Sequence, residues 1–370
     1  MRIALLAVAL GLALTGGRNV HADAPRENAA EDAGAAHVIQ LLREPRFENG
    51  VRPPSNGANA LGPGADALDR WRETLPSIAD ASWQFVTVAE STRFNDNPDT
   101  PAVTGEKTVY ASVDGSKRFE TDRETGVCRF VFDTEKEWRN GCNLSLPVDG
   151  QAPRYLAGHE WNWPHFLLEQ VIIDPNAEDG KLRLTAYRDL ELRFNAELRH
   201  SAKGEPAQCP PGTWGDQRIP DHCVFYAALV MTRESDRPAA DPDAVNPERI
   251  YALYPLFYSN GGERYDVACA PWLGDDPVHD AVYFTPNHVC LEQGKRFEVP
   301  IDAISLAREA VAAINQRHAA GLSADDYVIG SILIGWEIWG AYQTDIQLSG
   351  LSFQGRRDEP HGLAPPAPAD

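Results

Sequence analysis

The chain has 370 residues, 34 of them basic and 54 acidic, and a formal net charge of −20. That surplus of carboxylates repels nucleic acid and other polyanions at long range, so no nucleic-acid partner is expected. The length suits one large domain with long connections.

At the N-terminus, Met1-Arg2 precede an apolar run from Ile3 to Leu14. A basic start followed by about a dozen apolar residues reads as a secretory signal, too short to span a bilayer. Val20-His21-Ala22 places the cut after Ala22, giving a signal over residues 1–22. No later apolar run approaches ~18 residues, so no membrane span is expected after cleavage, and the mature chain is expected to be secreted or periplasmic. Residues 23–70 are rich in Ala, Gly, Asn, Pro and acidic residues, as in Pro53-Pro54-Ser55-Asn56-Gly57. Such a stretch carries too little apolar surface to offset chain entropy and is expected to be disordered. The same holds for a tail over 356–370, which ends in Pro365-Pro366-Ala367-Pro368.

Residues 71–355 are expected to form the folded domain, and strand signals dominate it. Ser82–Ala89 alternates around Trp83, Phe85 and Thr87, and Thr108–Val113 and Arg129–Phe132 follow. Leu190–Arg199 alternates apolar and polar for ten residues, the pattern of a half-buried strand. Its polar face is Glu191, Arg193, Asn195, Glu197 and Arg199. That row reads either as the lining of a groove, with Glu191 or Glu197 as a catalytic carboxylate, or as a solvated face with cross-strand ion pairs. Cys223–Met231 and Tyr251–Tyr258 are more fully apolar, as central strands are. Ala303–His318 has Ile304, Leu306, Val311 and Ile314 at helical spacing, Asp302 as a cap and Gly321 as a stop. One substantial helix among many strands predicts a sandwich with a helix laid across one side.

Six cysteines in an exported chain read as three bridges. Neighbouring pairs are expected: Cys128–Cys142 around two short strands at Arg129–Phe132 and Glu137-Trp138, Cys209–Cys223 around a Pro- and Gly-rich loop, and Cys269–Cys290. No pair has the close Cys-x-x-Cys spacing of a zinc site. His159-Glu160-Trp161-Asn162-Trp163-Pro164-His165 is not the helical His-Glu-x-x-His of zinc peptidases, because the second His comes too late and Pro164 interrupts a helix. Trp161 and Trp163 read instead as one face of a strand running through Phe166 and Leu168. No metal and no cofactor is expected.

The most specific stretch is Gly330–Gly340. Period two puts Ile332, Ile334, Trp336 and Ile338 on one face and Ser331, Leu333, Gly335, Glu337 and Trp339 on the other. A carboxylate beside an aromatic plate suits a sugar, which offers an apolar ring face and hydroxyls. Glu337 and Trp339 are therefore the candidate sugar-binding pair, with Arg193, Asn195 and Arg199 as further candidate contacts. The alternative is an edge Glu paired with an Arg and a Trp covering the sheet.

The helix, then Gly321-Leu322-Ser323-Ala324-Asp325-Asp326-Tyr327, then a strand ending Gly335-Trp336-Glu337-Ile338-Trp339 resembles the C-terminal part of family 12 glycoside hydrolases over roughly 50 residues. The resemblance implies a concanavalin-A-like jelly-roll β-sandwich, with Glu337 as general acid/base and a polysaccharide or oligosaccharide as ligand. The family's nucleophile motif is absent from both Ala227–Met231 and Tyr251–Pro255. Two function classes follow: a glycan-cleaving hydrolase, and a non-catalytic sugar-binding protein. A third reading, polysaccharide lyase, rests on Ala196-Glu197-Leu198-Arg199, which is similar to part of an alginate-lyase strand motif, with Asn195 where that motif has Arg.

Overall fold

The computed structural model describes residues 38–53, 64–88, 94, 97–139, 165–204, 212–214, 217–219, 222–234, 247–260, 263–264, 272–276, 280–286, 291–339 and 341–357. Ten strands carry the architecture: β1 (Trp83–Val88), β2 (Val127–Asp133), β3 (His165–Val171), β4 (Asp189–Lys203), β5 (His222–Arg233), β6 (Arg249–Asn260), β7 (Ala281–Thr285), β8 (Arg296–Asp302), β9 (Tyr327–Trp339) and β10 (Tyr342–Arg356). They form two large sheets, and the chain is a jelly-roll β-sandwich. Sheet A runs β8–β4–β10–β2 and continues through Lys117–Asp122, Lys107–Ala111 and Ala102–Thr104. Sheet B runs from Trp272–Asp276 through β7–β6–β5–β9–β3–β1 to Val51–Arg52. The ladders along these two paths are antiparallel, apart from β6 with β7 and Val51–Arg52 with β1.

Alternation decides what each strand buries. On β4, Leu192, Phe194 and Leu198 enter the core, while Glu191, Arg193, Asn195, Glu197 and Arg199 face outward. On β9, Ile332, Ile334, Trp336 and Ile338 enter the same core from the opposite sheet. Aromatic rings meet across the gap: Phe130 of β2 packs on Phe225 of β5 at 5.4 Å, and Phe225 on Trp336 at 4.9 Å, both edge to face. Such contacts add to the area term, which is about 1.5–3 kcal/mol for a large apolar side chain.

The helix occupies the expected span, Ala303–His318, and is α3 in chain order after α1 (Gly64–Thr74) and α2 (Thr134–Arg139). Asp302 caps it, its carboxylate accepting from the Ile304 and Ser305 N–H groups. The stop differs from expectation. Ala319, not Gly321, takes the left-handed conformation that ends the helix, with φ 51°. The helix also touches strands of both sheets instead of lying across one side, because its apolar stripe from Ala303 to Ile314 is buried in the shared core.

Three further expectations need correction. Part of the segment assigned to disorder is built into the fold. Val38–Gln40 pairs with the end of β10, and Leu41, Leu42, Phe47 and Val51 are buried. Glu44 accepts from Asn49 and from the Ser82 N–H, while its carbonyl accepts from the Trp83 indole. The apolar residues are few, so average composition hides them, yet each fills the core. α1 begins inside the same segment, with Ala67 buried, and its Trp71, the first residue of the expected domain, packs against Phe85 and Tyr110. At the other end, Arg357 binds the fully buried Asp174 and lies over the Tyr187 ring, so Arg356 and Arg357, assigned to the tail, belong to the fold, and residues 358–370 lie outside the described residues.

Second, Cys128 and Cys223 are free, buried thiols. The Cys128–Cys142 and Cys209–Cys223 bridges are therefore not formed. Strand alternation turns both sulfurs into the core, and burial pushes both thiols up. Cys142, Cys209, Cys269 and Cys290 lie outside the described residues, as does the Cys269–Cys290 pair with them. Third, the strand expected around Glu137-Trp138 is the short helix α2. The signal segment and residues 151–164, with Trp161 and Trp163, also lie outside the described residues.

Candidate functional site

Glu337 stands on the outward face of sheet B. The register sets it opposite Val224 on β5 and His165 on β3. Beside it, Gly335 makes close strand approach possible: a Cβ there would lie 2.2 Å from the Phe166 carbonyl oxygen. The Glu337 carboxylate is 3.3 Å from His165 Nε2, with the two side chains 17% and 10% exposed. Tyr226, one alternation along β5, is buried and hydrogen-bonds Glu337. Burial holds the Tyr226 phenol well above the usual tyrosine range, and the Glu337 charge pushes the same way. Tyr226 therefore stays protonated and donates to the carboxylate.

The floor around this group is apolar. Leu167, Val224, Tyr226, Ala228, Val230 and Leu333 form a buried cluster separate from the main core, with Tyr251 and Leu253 packed against it. Tyr251 of β6 and Tyr283 of β7 stack in parallel, centroids 4.7 Å apart and planes 7° from coplanar. The arrangement is a mostly covered carboxylate held by a phenol and an imidazole over an apolar sheet surface. It accepts hydrogen bonds, and it has groups that hold or pass a proton at the carboxylate oxygens.

The structure brings some predicted residues together and separates others. Glu337 lies where alternation places it. The side chain of Trp339 lies outside the described residues, although its backbone closes β9 opposite His222. Glu191, Arg193, Asn195, Glu197 and Arg199 line the outward face of sheet A, and the entire core lies between them and Glu337. Sheets in such sandwiches pack about 10 Å apart, so neither Glu191 nor Glu197 reaches the Glu337 site. Their environment is a solvated ion-pair face: Arg193 pairs with Glu191 at 2.6 Å and Glu298 at 2.9 Å, and Arg199 lies 3.9 Å from Glu197.

The next carboxylate in the described ladder around Glu337 is Glu169. It sits four residues along β3 from His165, ~13 Å of strand, and faces Leu333. Its carboxylate accepts from the Ser331 hydroxyl at 2.7 Å, which holds it on the side away from Glu337. Paired-carboxylate glycoside hydrolysis needs separations of about 5–5.5 Å or 6.5–9.5 Å.

His165 and Tyr226 were not legible as site residues. His165 stands out in the sequence only as half of a rejected metal motif, and Tyr226 lies inside a strand that reads as uniformly apolar. The available signal was the parity of β5, which sets Tyr226 with Val224 and Ala228. The register to β9 that completes the group is a long-range fact.

No family model matches the chain, and no curated protein matches it. Solved structures that resemble it include the endoglucanase Cel12A from Rhodothermus marinus, 11% identical, covering 74% of this chain and 99% of that one at a TM-score of 0.34. The xyloglucanase domain of NopAA from Sinorhizobium fredii, solved with cellobiose, is 9% identical and covers 73% and 97% at 0.32. The family 12 xyloglucanase from Bacillus licheniformis is 11% identical and covers 68% and 86% at 0.31. These are likenesses of build alone. Among the described residues, no helix is long and apolar enough to cross a membrane.

Proposed function

We propose that this chain is an exported protein that binds a polysaccharide or oligosaccharide on the outward face of sheet B, with Glu337 as the polar anchor and Trp339 as the stacking plate. The observation that carries this reading is the Glu337 carboxylate, partly exposed at 17% and held by Tyr226 and His165 over an apolar floor. Sugar sites combine such apolar surface with a few fixed polar groups. The separation of Glu169 from Glu337 favours binding over paired-carboxylate hydrolysis.

Hydrolysis with Glu337 as acid/base is the second reading. It is favoured by the imidazole and phenol at the carboxylate, since both are proton-transfer groups. The lyase reading is weaker, because Glu197 and Arg199 lie on the other sheet. The test is calorimetric titration of the purified protein against plant, algal and bacterial glycans, with reducing-sugar release measured in parallel. Binding without release, weakened by Trp339→Ala, is expected. Release that Glu337→Gln abolishes would move the assignment to hydrolase. Binding that survives Trp339→Ala and Glu337→Gln unchanged would place the sugar elsewhere.

A further inference from the structure

Sheet B carries a second polar group on its outward face, away from Glu337. One cross-strand row runs from Arg52 on the edge strand through Gln84 of β1 and Glu169 of β3 to Leu333 of β9. Val51 and Trp83, the chain neighbours of Arg52 and Gln84, are buried in the main core, so alternation turns Arg52 and Gln84 outward. This row lies four residues along β3 from the row of His165 and Glu337, ~13 Å. Arg52 also stands three strands from β9, ~14 Å. Arg52 and Glu337 are therefore roughly 19 Å apart, farther than one sugar ring reaches.

Arg52 is half-buried, and its Nε is fully buried without a hydrogen-bond partner. Other arginines on these sheets grip carboxylates: Arg129 holds Asp345, Arg183 holds Glu234 and Arg193 holds Glu298. Among the described residues, no carboxylate does this for Arg52. Glu169 shares its row two strands away, or ~10 Å, and is turned the other way. It accepts from the Ser331 hydroxyl at 2.7 Å, on the β9 side and away from the edge. A guanidinium stripped of part of its water and given no counter-charge is costly, and an anion from outside offsets that cost. The planar guanidinium offers parallel N–H donors that match the two oxygens of a carboxylate.

We propose that Arg52 binds the carboxylate of a uronate unit, so that the preferred ligand is an oligosaccharide with a uronate at the Arg52 end and a neutral unit at Glu337. The inference rests on the reading that this face binds sugar, and it adds the charge and the place of one unit. Uncharged Gln84 stands between Arg52 and Glu169, which keeps the bound carboxylate apart from that of Glu169. At Glu337 a uronate would meet a second carboxylate, so the acidic unit belongs at one end alone. The net charge of −20 opposes a polyanion at long range, so a glycan with sparse uronates fits better than a polyuronate.

The test uses pairs of ligands that differ only in that charge: uronate-bearing oligosaccharides from glucuronoxylan, gellan and rhamnogalacturonan, each beside its carboxyl-reduced counterpart. Each is titrated calorimetrically into the full mature chain, Arg52→Gln and Arg52→Lys. In the best-binding pair the acidic member should bind at least about tenfold more tightly. That advantage should disappear in Arg52→Gln and shrink in Arg52→Lys, which keeps the charge and loses the planar fork. The reduced members should bind the parent and both variants alike. An acidic member that binds no more tightly in any pair, or an advantage unchanged in Arg52→Gln, overturns the proposal. Should Arg52→Gln fail to fold, Arg52→Lys decides, and an undiminished advantage there overturns it. Binding of reduced or neutral glycans with no preference for a uronate overturns this inference and leaves the sugar site standing. No binding of any glycan overturns both.

Discussion

The two outward faces of the sandwich start from the same sequence grammar and end in different chemistry. On β4, Glu191, Arg193, Asn195, Glu197 and Arg199 alternate with core residues, and the charges answer one another within the face at high exposure. On β9, Ser331, Leu333, Gly335 and Glu337 alternate with core residues just as regularly, yet the carboxylate is mostly covered and meets an imidazole and a phenol. Period two says which side chains share a face. Whether that face is a solvated surface or a site depends on what the neighbouring strands bring to it, and the register sets that.

The contrast gives an order of effects. The largest should come from beneath the Glu337 face. Trp336 is fully buried against Phe225 and Phe257, and Trp336→Ala should cost about 3–5 kcal/mol in urea unfolding. A loss under about 1 kcal/mol would mean that β9 is not a central core strand. Next is Tyr226→Phe, which removes the donor to the carboxylate while keeping the ring. It should destabilise by about 1–3 kcal/mol and weaken sugar binding, and an unchanged midpoint together with unchanged affinity would detach Tyr226 from the site.

A pH series sharpens the same point. Burial raises Tyr110, Tyr226 and Tyr327 well above the usual tyrosine range and takes Tyr187 to about 12. Above about pH 10 the unfolded chain loses phenol protons that the folded chain keeps. Stability is therefore fully present below that pH and falls as pH rises further. Tyr226→Phe should make the fall shallower by about one proton. A denaturation midpoint that stays flat from about pH 9 to 11.5 would contradict the buried phenols. The smallest effect belongs to the other sheet: Arg193→Ala, on an exposed side chain, should leave the unfolding midpoint and sugar affinity unchanged. A marked loss of affinity would reverse the assignment of the two faces.

Much of the sandwich was legible because its signals are local. The β4 and β9 alternations and the α3 stripe with its Asp302 cap each report burial within a few residues. The N-terminal segment was misjudged because Leu41, Leu42, Phe47 and Val51 are scattered through a polar stretch, and composition averages over them. Two of the cysteine pairs failed because spacing ignores which way a strand turns its side chains, and Cys128 and Cys223 turn inward. Glu337 was legible from parity. Its partners His165 and Tyr226 lie 172 and 111 positions earlier in the chain and meet it only through β-ladder register.

The proposed function assigns sugar to the outward face of sheet B and none to that of sheet A. Crystals soaked with the tightest-binding oligosaccharide from the titrations test it directly. Sugar density should lie over Glu337 and Tyr226 on sheet B, with a hydroxyl at the Glu337 carboxylate, and the Arg193–Glu298 surface should be bare. Density over Arg193 and Glu298 with none at Glu337 would contradict it.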